Sequence, residues 1–280
     1  MPAVRLHEFS AVDQSADRAT FVQYLDTVDS SDGLQQLKQR TYALMELQPG
    51  HKALDVGCGT GGDVRAMARL IGPTGCAVGI DSSSHLIDIA RSRSLASELP
   101  GEFYVGQAGQ LAFGDGVFDA CRAERVLQHV ADAGQAIAEM IRVLRPDGRL
   151  VCFEPDWDLQ VFDAPDRDLT RAICNFRSDR MQSGRVGHQL RGHFIARDLI
   201  DVQVVPLAGV ITDLKVADAA MGLRGTLEEA VESRVVTKEE AVRWWAGLEE
   251  TDRAGHFFAA SVAFLVSGRK CPASQSQRIA

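Results

Sequence analysis

Leu54-Asp55-Val56-Gly57-Cys58-Gly59-Thr60-Gly61-Gly62 is the stretch whose reading decides the fold. It ends a short β-like run, KALDVG at 52–57, and precedes residues at helical spacing, Val64, Met67, Ala68 and Ile71. Glycines at such a junction let the backbone turn tightly and let a ligand approach main-chain N–H groups, which the start of the following helix also presents. The expectation is a nucleotide-like ligand at a strand-to-helix turn, weighed against a tight turn that holds nothing.

The same alternation continues downstream. Further β-like runs are CAVGID (76–81), EFYVGQA (102–108), VFDACR (117–122) and RLVCFEP (149–155). Between them lie helical stretches such as Leu86, Ile87, Ile89, Ala90 and Ile137, Met140, Ile141, Leu144. Pro73-Thr74-Gly75 and Arg145-Pro146-Asp147-Gly148 mark helix ends that precede new strands. Strands rich in Val, Ile and Leu alternating with helices predict an α/β fold with a doubly wound, parallel sheet.

The flanks are less regular. Residues 1–50 read as helical, with a break at Asp29–Gly33. Residues 156–200 read as polar and helical, followed by a strand at 201–207 that reaches toward Asp213 and a helical insert at 216–252. A buried final strand is expected within HFFAASVAFLVSGRK (256–270), with CPASQSQRIA as a frayed tail.

Composition bounds the partners. The chain has 280 residues, 45% of them hydrophobic, enough for one sizeable core. Thirty Lys and Arg against thirty-eight Asp and Glu give a net charge of −8, which disfavours nucleic acid. The longest apolar run, Phe257–Val266, falls short of the roughly 20 residues of a membrane span. MPAVRLHEFS carries no apolar signal region. A cytoplasmic protein is therefore expected, monomeric or homodimeric, with a small-molecule partner and neither nucleic acid nor membrane. The six cysteines, at 58, 76, 121, 152, 174 and 271, have no metal-ligand spacing, so no metal site is expected.

Gly57, Gly59 and Gly62 satisfy GxGxxG, which brings a nicotinamide dinucleotide into consideration. Against it stand Asp55 inside the strand and the lack of a second mononucleotide-binding half. Asp81 ends the second strand about 20 residues beyond the glycine turn, where a carboxylate accepts hydrogen bonds from ribose hydroxyls. Dinucleotides and S-adenosylmethionine (SAM) share that ribose. Asp55 beside the loop suits a cationic ligand and would repel a pyrophosphate.

LDVGCGTG (54–61), GIDSS (79–83), VGQAGQLAF (105–113), FDACRAERVLQHV (118–130) and MIRVLRPDGRLVCFEP (140–155) resemble, in order and spacing, the motif series of class I SAM-dependent methyltransferases. The resemblance is closest to the small-molecule group that includes ubiquinone and menaquinone C-methyltransferases. It implies one domain with a seven-stranded, mostly parallel, Rossmann-like sheet whose last strand is antiparallel. A helical lid would occupy residues 1–48, the SAM-binding core 49–156, helical substrate caps 157–200 and 216–252, and terminal strands 201–213 and 256–270.

Carried onto this sequence, the resemblance has Asp55, Gly57, Cys58, Gly59 and Gly61 cradling the methionine part of SAM, Asp81 the ribose and Ser82 the nearby nucleoside. Gln107 and Ala108 would flank the adenine; Gln107 stands where relatives carry Asp, and its carbonyl would accept the same hydrogen bond. Arg122 to Arg125, Ala123 among them, would line the reacting end, and Tyr24 would fold over the cofactor from the N-terminal helices.

On the substrate side, His129 would act as a proton acceptor or simply pack. Glu154 and Asp156 would orient or deprotonate a nucleophile and Trp157 would stack on a flat substrate, or the three would form a solvated turn. His188, Arg191 and His193 share a helical face that would meet an anionic substrate or only water. The arginines between Arg167 and Arg197 mark a region able to recognise a carboxylated or phosphorylated acceptor, while Trp244 and Trp245 would anchor their helix.

The expected reaction moves a methyl group from SAM to O, N or C of a small metabolite, natural-product or quinone-like, leaving S-adenosylhomocysteine (SAH). A non-catalytic SAM-binding protein and a nicotinamide-dependent oxidoreductase are the alternatives.

Overall fold

Runs buried on both faces become interior parallel strands, and three of the expected ones do: β1 (Lys52–Val56), β2 (Cys76–Asp81) and β4 (Phe118–Glu124). The computed structural model describes residues 5–30, 32–95 and 101–272, so most of the tail expected to fray lies outside it. With β3 (Glu102–Val105), β5 (Leu144–Phe162), β6 (Leu199–Ile211) and β7 (Ala259–Lys270), these strands form a seven-stranded sheet in the order β3-β2-β1-β4-β5-β7-β6. β7 runs antiparallel between β5 and β6, and the β1 to β5 pairs are parallel. Strand order reverses between β1 and β4, and in such sheets a crevice opens beyond the carboxyl ends there.

β5 is longer than expected at both ends. It begins at Leu144, absorbing Arg145–Gly148 as an irregularity in which Asp147 has φ 67° and the β4 register shifts. It also continues to Phe162, so residues 157–162, expected to be helical, are strand. There β7 supplies a partner: Gln160, Val161 and Phe162 pair with Ser261, Ala260 and Ala259 beyond a bulge.

Three helices, α3 (Gly62–Ile71), α4 (Ser84–Ser94) and α5 (Ala133–Val143), fill the crossovers, and each starts at an identifiable cap. Gly61, at φ 77°, opens α3; Ser83 Oγ accepts from Leu86 N; Asp132 accepts from Gln135 N. α7 (Val186–Ile195) joins α5 on one face, where Ile137, Met140, Leu190 and Phe194 pack on Leu54, Val56 and Leu150. On the other face α2 (Asp32–Met45), α3 and α4 place Met45, Val64, Met67 and Ile87 against Ala53, Val151 and Leu265. Each such side chain contributes about 1.5–3 kcal/mol by leaving water.

A third core lies beyond the sheet. α6 (Arg167–Arg180), α8 (Leu214–Met221), α9 (Leu223–Glu232) and α10 (Lys238–Arg253) close over the far ends of β5 and β7 through Ile173, Ala217, Leu227, Leu248 and Trp244, which meet Phe162 and Ala259. Trp244 is buried and donates its Nε1–H to Thr170 Oγ1 at 2.9 Å, the anchoring role expected of it. At the N-terminus lie a 3₁₀ segment (Leu6–Gln14) and α1 (Arg18–Asp29). Asp13 pins that segment to the start of α4 by accepting from Ser83 Oγ at 2.5 Å and from Ser84 N at 2.8 Å. Among the described residues no helix is long and apolar enough to cross a membrane, and no His, Cys, Asp and Glu cluster is placed to hold a metal.

Candidate active site

The crevice at the switch point is a cavity of about 620 Å³, within the usual range of roughly 300–1,000 Å³ for ligand pockets. Its floor begins with the loop after β1. Gly57, Gly59 and Gly61 have φ of 72°, 52° and 77°, in the left-handed region that side chains disfavour. At Gly57 a Cβ would lie 2.2 Å from Val126 Cγ2, so the loop meets the segment after β4 only because glycine stands there.

Asp81, at the end of β2, is oriented by that loop. Its carboxylate accepts from Gly59 N and Ser83 N, both at 2.9 Å, and a carboxylate has lone pairs to spare for a ligand hydroxyl. Burial pushes its pKa up, and those main-chain N–H groups oppose the shift. The segment after β3 continues the wall as Gly106, Gln107, Ala108 and Gly109, anchored where Gly106 N donates to the Asp81 carbonyl at 2.9 Å. Ser82 lies on the wall too, but the cap of α4 is Ser83.

Not every motif residue reaches the cavity. Asp55 is 2% exposed and bound to Arg122, Nη1 to Oδ1 at 3.1 Å, below the floor. Arg122 also meets Asp63 at 3.1 Å and Glu124 at 2.5 Å, so it lines no part of the site, contrary to expectation. Lys38 bridges Asp63 at 2.8 Å and Asp29 at 3.2 Å, while Arg125 reaches Glu124 at 3.3 Å and Asp29 at 3.6 Å. Burial raises Asp55 to about 7 against the pull of Arg122; at Asp63, burial is outweighed by Arg122 and Lys38, which hold the carboxyl well below its ordinary range. Asp55 is thus no free anion facing a ligand, and the charge argument used against a pyrophosphate loses its basis. Cys58 and Ala123 are buried in the sheet cores, and Gly61 faces Phe103 and Ala90.

The end of β4 supplies Glu124 to the wall, and the segment after it Arg125, Val126, Gln128 and His129. Glu154 makes this geometry but does not share it. Wholly buried, it accepts from Val126 N at 2.8 Å, Leu127 N at 2.7 Å and Gln128 N at 3.4 Å, tying down the 3₁₀ turn Leu127–His129. Both its oxygens are spent on the backbone, so the expected acid–base role has no access to the cavity. His129 does line the cavity, beside Phe9 with ring centroids 5.8 Å apart. Burial and the neighbouring Arg125 push its pKa down to about 3, and its buried Nδ1 has no hydrogen-bond partner among the described residues.

Opposite the strand ends stand residues of α1, α6 and α8 and of the far part of β5. Tyr24 lines the cavity and donates its hydroxyl to the Ala220 carbonyl at 3.2 Å, linking α1 to α8. Trp157 donates its Nε1–H to Gln128 Oε1 at 2.6 Å, and the Arg177 guanidinium lies 5.4 Å from the centre of its ring. Asp156 sits at the cavity wall, but its side chain is fully buried and turned to His188, accepting from its main-chain N at 2.8 Å and meeting its Nδ1 at 2.5 Å. His188, Arg191 and His193 themselves lie outside. α7 buries Val186, Leu190 and Phe194 on the sheet, and His188 and Arg191 project from its exposed side.

Of the expected residues, then, the cavity gathers Gly57, Gly59, Asp81, Ser82, Gln107 and Ala108 on one wall, Glu124 and Arg125 from the expected stretch Arg122 to Arg125, and Tyr24, His129, Asp156 and Trp157 on the other wall. Sequence reasoning did not single out Gln160, Arg177 or Met221, which also line it. The arginine-rich stretch pointed to the region of Arg177, but no local spacing separates Arg177 from Arg171 or Arg180.

The cradle fits SAM: an oriented carboxylate for a diol and a floor of glycines open to an extended ligand. A family described as the methyltransferase domain matches residues 54–152. A Streptomyces fradiae protein, described as an uncharacterized 37.1 kDa protein in transposon TN4556, is 38% identical over 253 residues, covering 90% of this chain and 72% of that one. The ubiquinone/menaquinone biosynthesis C-methyltransferase UbiE of Saccharophagus degradans is 36% identical over 143 residues, 50% of this chain and 55% of the relative, so the match spans about half its length. Phosphoethanolamine N-methyltransferase 2 of Haemonchus contortus, solved with S-adenosyl-L-methionine, shares the fold with a TM-score of 0.62 at 16% identity, covering 96% of this chain and 61% of that one. Fold, motif order and relatives agree: the chain belongs to the class I SAM-dependent methyltransferases, and SAM is its cofactor.

Proposed function

We propose that the protein transfers a methyl group from SAM to an O, N or C nucleophile of a small metabolite, inside the cavity between the glycine loop and the cap. The observation that carries this reading is that one cavity has both walls: Gly57, Gly59 and Asp81 on the strand ends, and Tyr24, Trp157 and Met221 facing them. When bound, SAM supplies an electrophilic methyl group on its sulfonium. Gly57 and Gly59 would accommodate the methionine part, Asp81 and Ser82 the ribose, and Gln107 and Ala108 the adenine. Tyr24 and Trp157, fixed by their hydrogen bonds to Ala220 and Gln128, would hold the acceptor in line and keep water out.

The chain offers little basicity at the reacting end. His129 is held neutral with a pKa of about 3, which makes it a weak proton acceptor at neutral pH. Glu154 is committed to the backbone, Asp156 to His188 and Glu124 to Arg122. This favours an acceptor that arrives already nucleophilic, such as an amine, a phenolate or a stabilised carbanion. The quinone-type relative argues by analogy for carbon.

The test is mass spectrometry of a metabolite extract incubated with the protein and SAM bearing a deuterated methyl group. A product carrying the heavy methyl, formed together with SAH, is expected. SAH binding without a labelled product from any fraction would favour the non-catalytic reading.

A further inference from the structure

Three arginines lie at or beneath the walls of this cavity, Arg122 and Arg177 buried and Arg125 half-buried, and they differ in what answers their charge. Arg122 meets Asp55, Asp63 and Glu124, and Arg125 meets Glu124 and Asp29. Arg177, only 3% exposed, bonds to neutral oxygens: Nε to Gln160 Oε1 at 2.9 Å, Nη1 to Thr226 Oγ1 at 2.7 Å and Nη2 to the Met221 carbonyl at 2.8 Å. Among the described residues no carboxylate lies within ion-pair distance of it. Glu229, whose field reaches it, is already engaged by Arg5 at 3.2 Å and Arg180 at 3.3 Å.

A guanidinium has five N–H donors, so three bonds leave two unassigned. Arg177 is also part of the cavity wall, next to Gln160, Met221 and the Trp157 ring over which it is stacked. A buried cation without a counter-ion is costly, and burial alone pushes this one down to about 10. A fold that keeps such a group at the edge of a ligand cavity gains most when the ligand brings the missing charge. The cavity carboxylates do not serve that purpose: Asp81 is bound by the glycine loop, Asp132 caps α5 and Asp156 holds His188.

We propose that the methyl acceptor carries an anionic group, a carboxylate or a phosphate ester, and that Arg177 receives it beside the face of Trp157. The proposal rests on the methyltransferase reading and adds the class of acceptor. The other role for Arg177, a clamp joining β5 to α8 and α9, would give no preference between charged and neutral ligands.

Calorimetry on the protein saturated with SAH separates these roles, using benzoate, phenyl phosphate and neutral benzamide as probes. Benzoate or phenyl phosphate is expected to bind at least about tenfold more tightly than benzamide, and the stronger of the two identifies the anion. Arg177→Gln is expected to reduce that preference to within about twofold while SAH affinity is unchanged. Benzamide binding as well as both anions, or a preference that survives Arg177→Gln, would overturn the proposal. If Arg177→Gln does not fold, Arg177→Lys replaces it; loss of the planar fork should weaken the preference, and an unaltered preference would contradict it. Failure of SAH to bind the wild-type chain would instead refute the methyltransferase reading, whereas SAH binding without an anion preference refutes this inference alone.

Discussion

On the strand-end wall of the cavity, Gly57, Gly59, Asp81 and Gly106–Gly109 are positioned by main-chain N–H groups and by backbone conformations that glycine permits. On the facing wall, Tyr24 is held by a residue 196 positions away, Arg177 by one 49 positions away and Trp157 by one 29 positions away, through side-chain bonds. The first wall follows from local residue types and short-range backbone geometry. The second follows from how helices distant in sequence pack together.

That contrast can be broken at several points. The largest effect is expected beneath the first wall, at Arg122→Met. It would leave Asp55, Asp63 and Glu124 buried with one cation fewer, at a cost of about 3–5 kcal/mol in denaturant unfolding. A loss below about 1 kcal/mol would mean that the cluster does not support the loop. Gly57→Ala comes next, because its Cβ would collide with Val126 at a φ of 72°; about 2–3 kcal/mol of stability should go, with SAH binding weakened in parallel. Asp81→Asn keeps the shape but removes a charged acceptor and sets its NH2 against one of the two main-chain N–H groups the carboxylate receives; it should weaken SAH about 10- to 100-fold by calorimetry and cost about 1–2 kcal/mol of stability.

A smaller effect depends on pH. The pKa of His129 is about 3 when folded, against 6.5 for an unperturbed imidazole, so the unfolded chain binds more protons between those values. Its stability contribution is therefore complete above pH 6.5 and is lost as pH falls toward 3. Comparing His129→Gln with wild type from pH 7 to pH 5, the wild type should lose on the order of 2 kcal/mol more. The smallest change is expected on the second wall: Tyr24→Phe removes one 3.2 Å bond, worth about 0.5–1 kcal/mol, and should raise the KM for the acceptor while leaving SAH affinity alone.

The same contrast explains what was legible in the sequence. β2 runs from Cys76 to Asp81 as read, and Asp81, Ser82, Gln107 and Ala108 reach the cavity, because a short apolar run and the turn after it are local features. Asp55 was misplaced because the residue that takes up its carboxylate, Arg122, lies 67 positions away and meets it only through the β1–β4 pairing. Glu154 was read as a free carboxylate for the same kind of reason, its backbone donors lying 26 to 28 residues upstream. Helical periodicity did place His188 and Arg191 on one side of α7, but periodicity does not say which side meets the sheet. The strand extension to Phe162 depended on β7, almost a hundred residues on, offering an edge.

A crystal structure of the complex with SAH tests the central claim most directly. The account predicts SAH in the 620 Å³ cavity, with its ribose hydroxyls on the Asp81 carboxylate and Tyr24 and Trp157 across from it. SAH bound elsewhere, or in the cavity with Asp81 untouched, would contradict it.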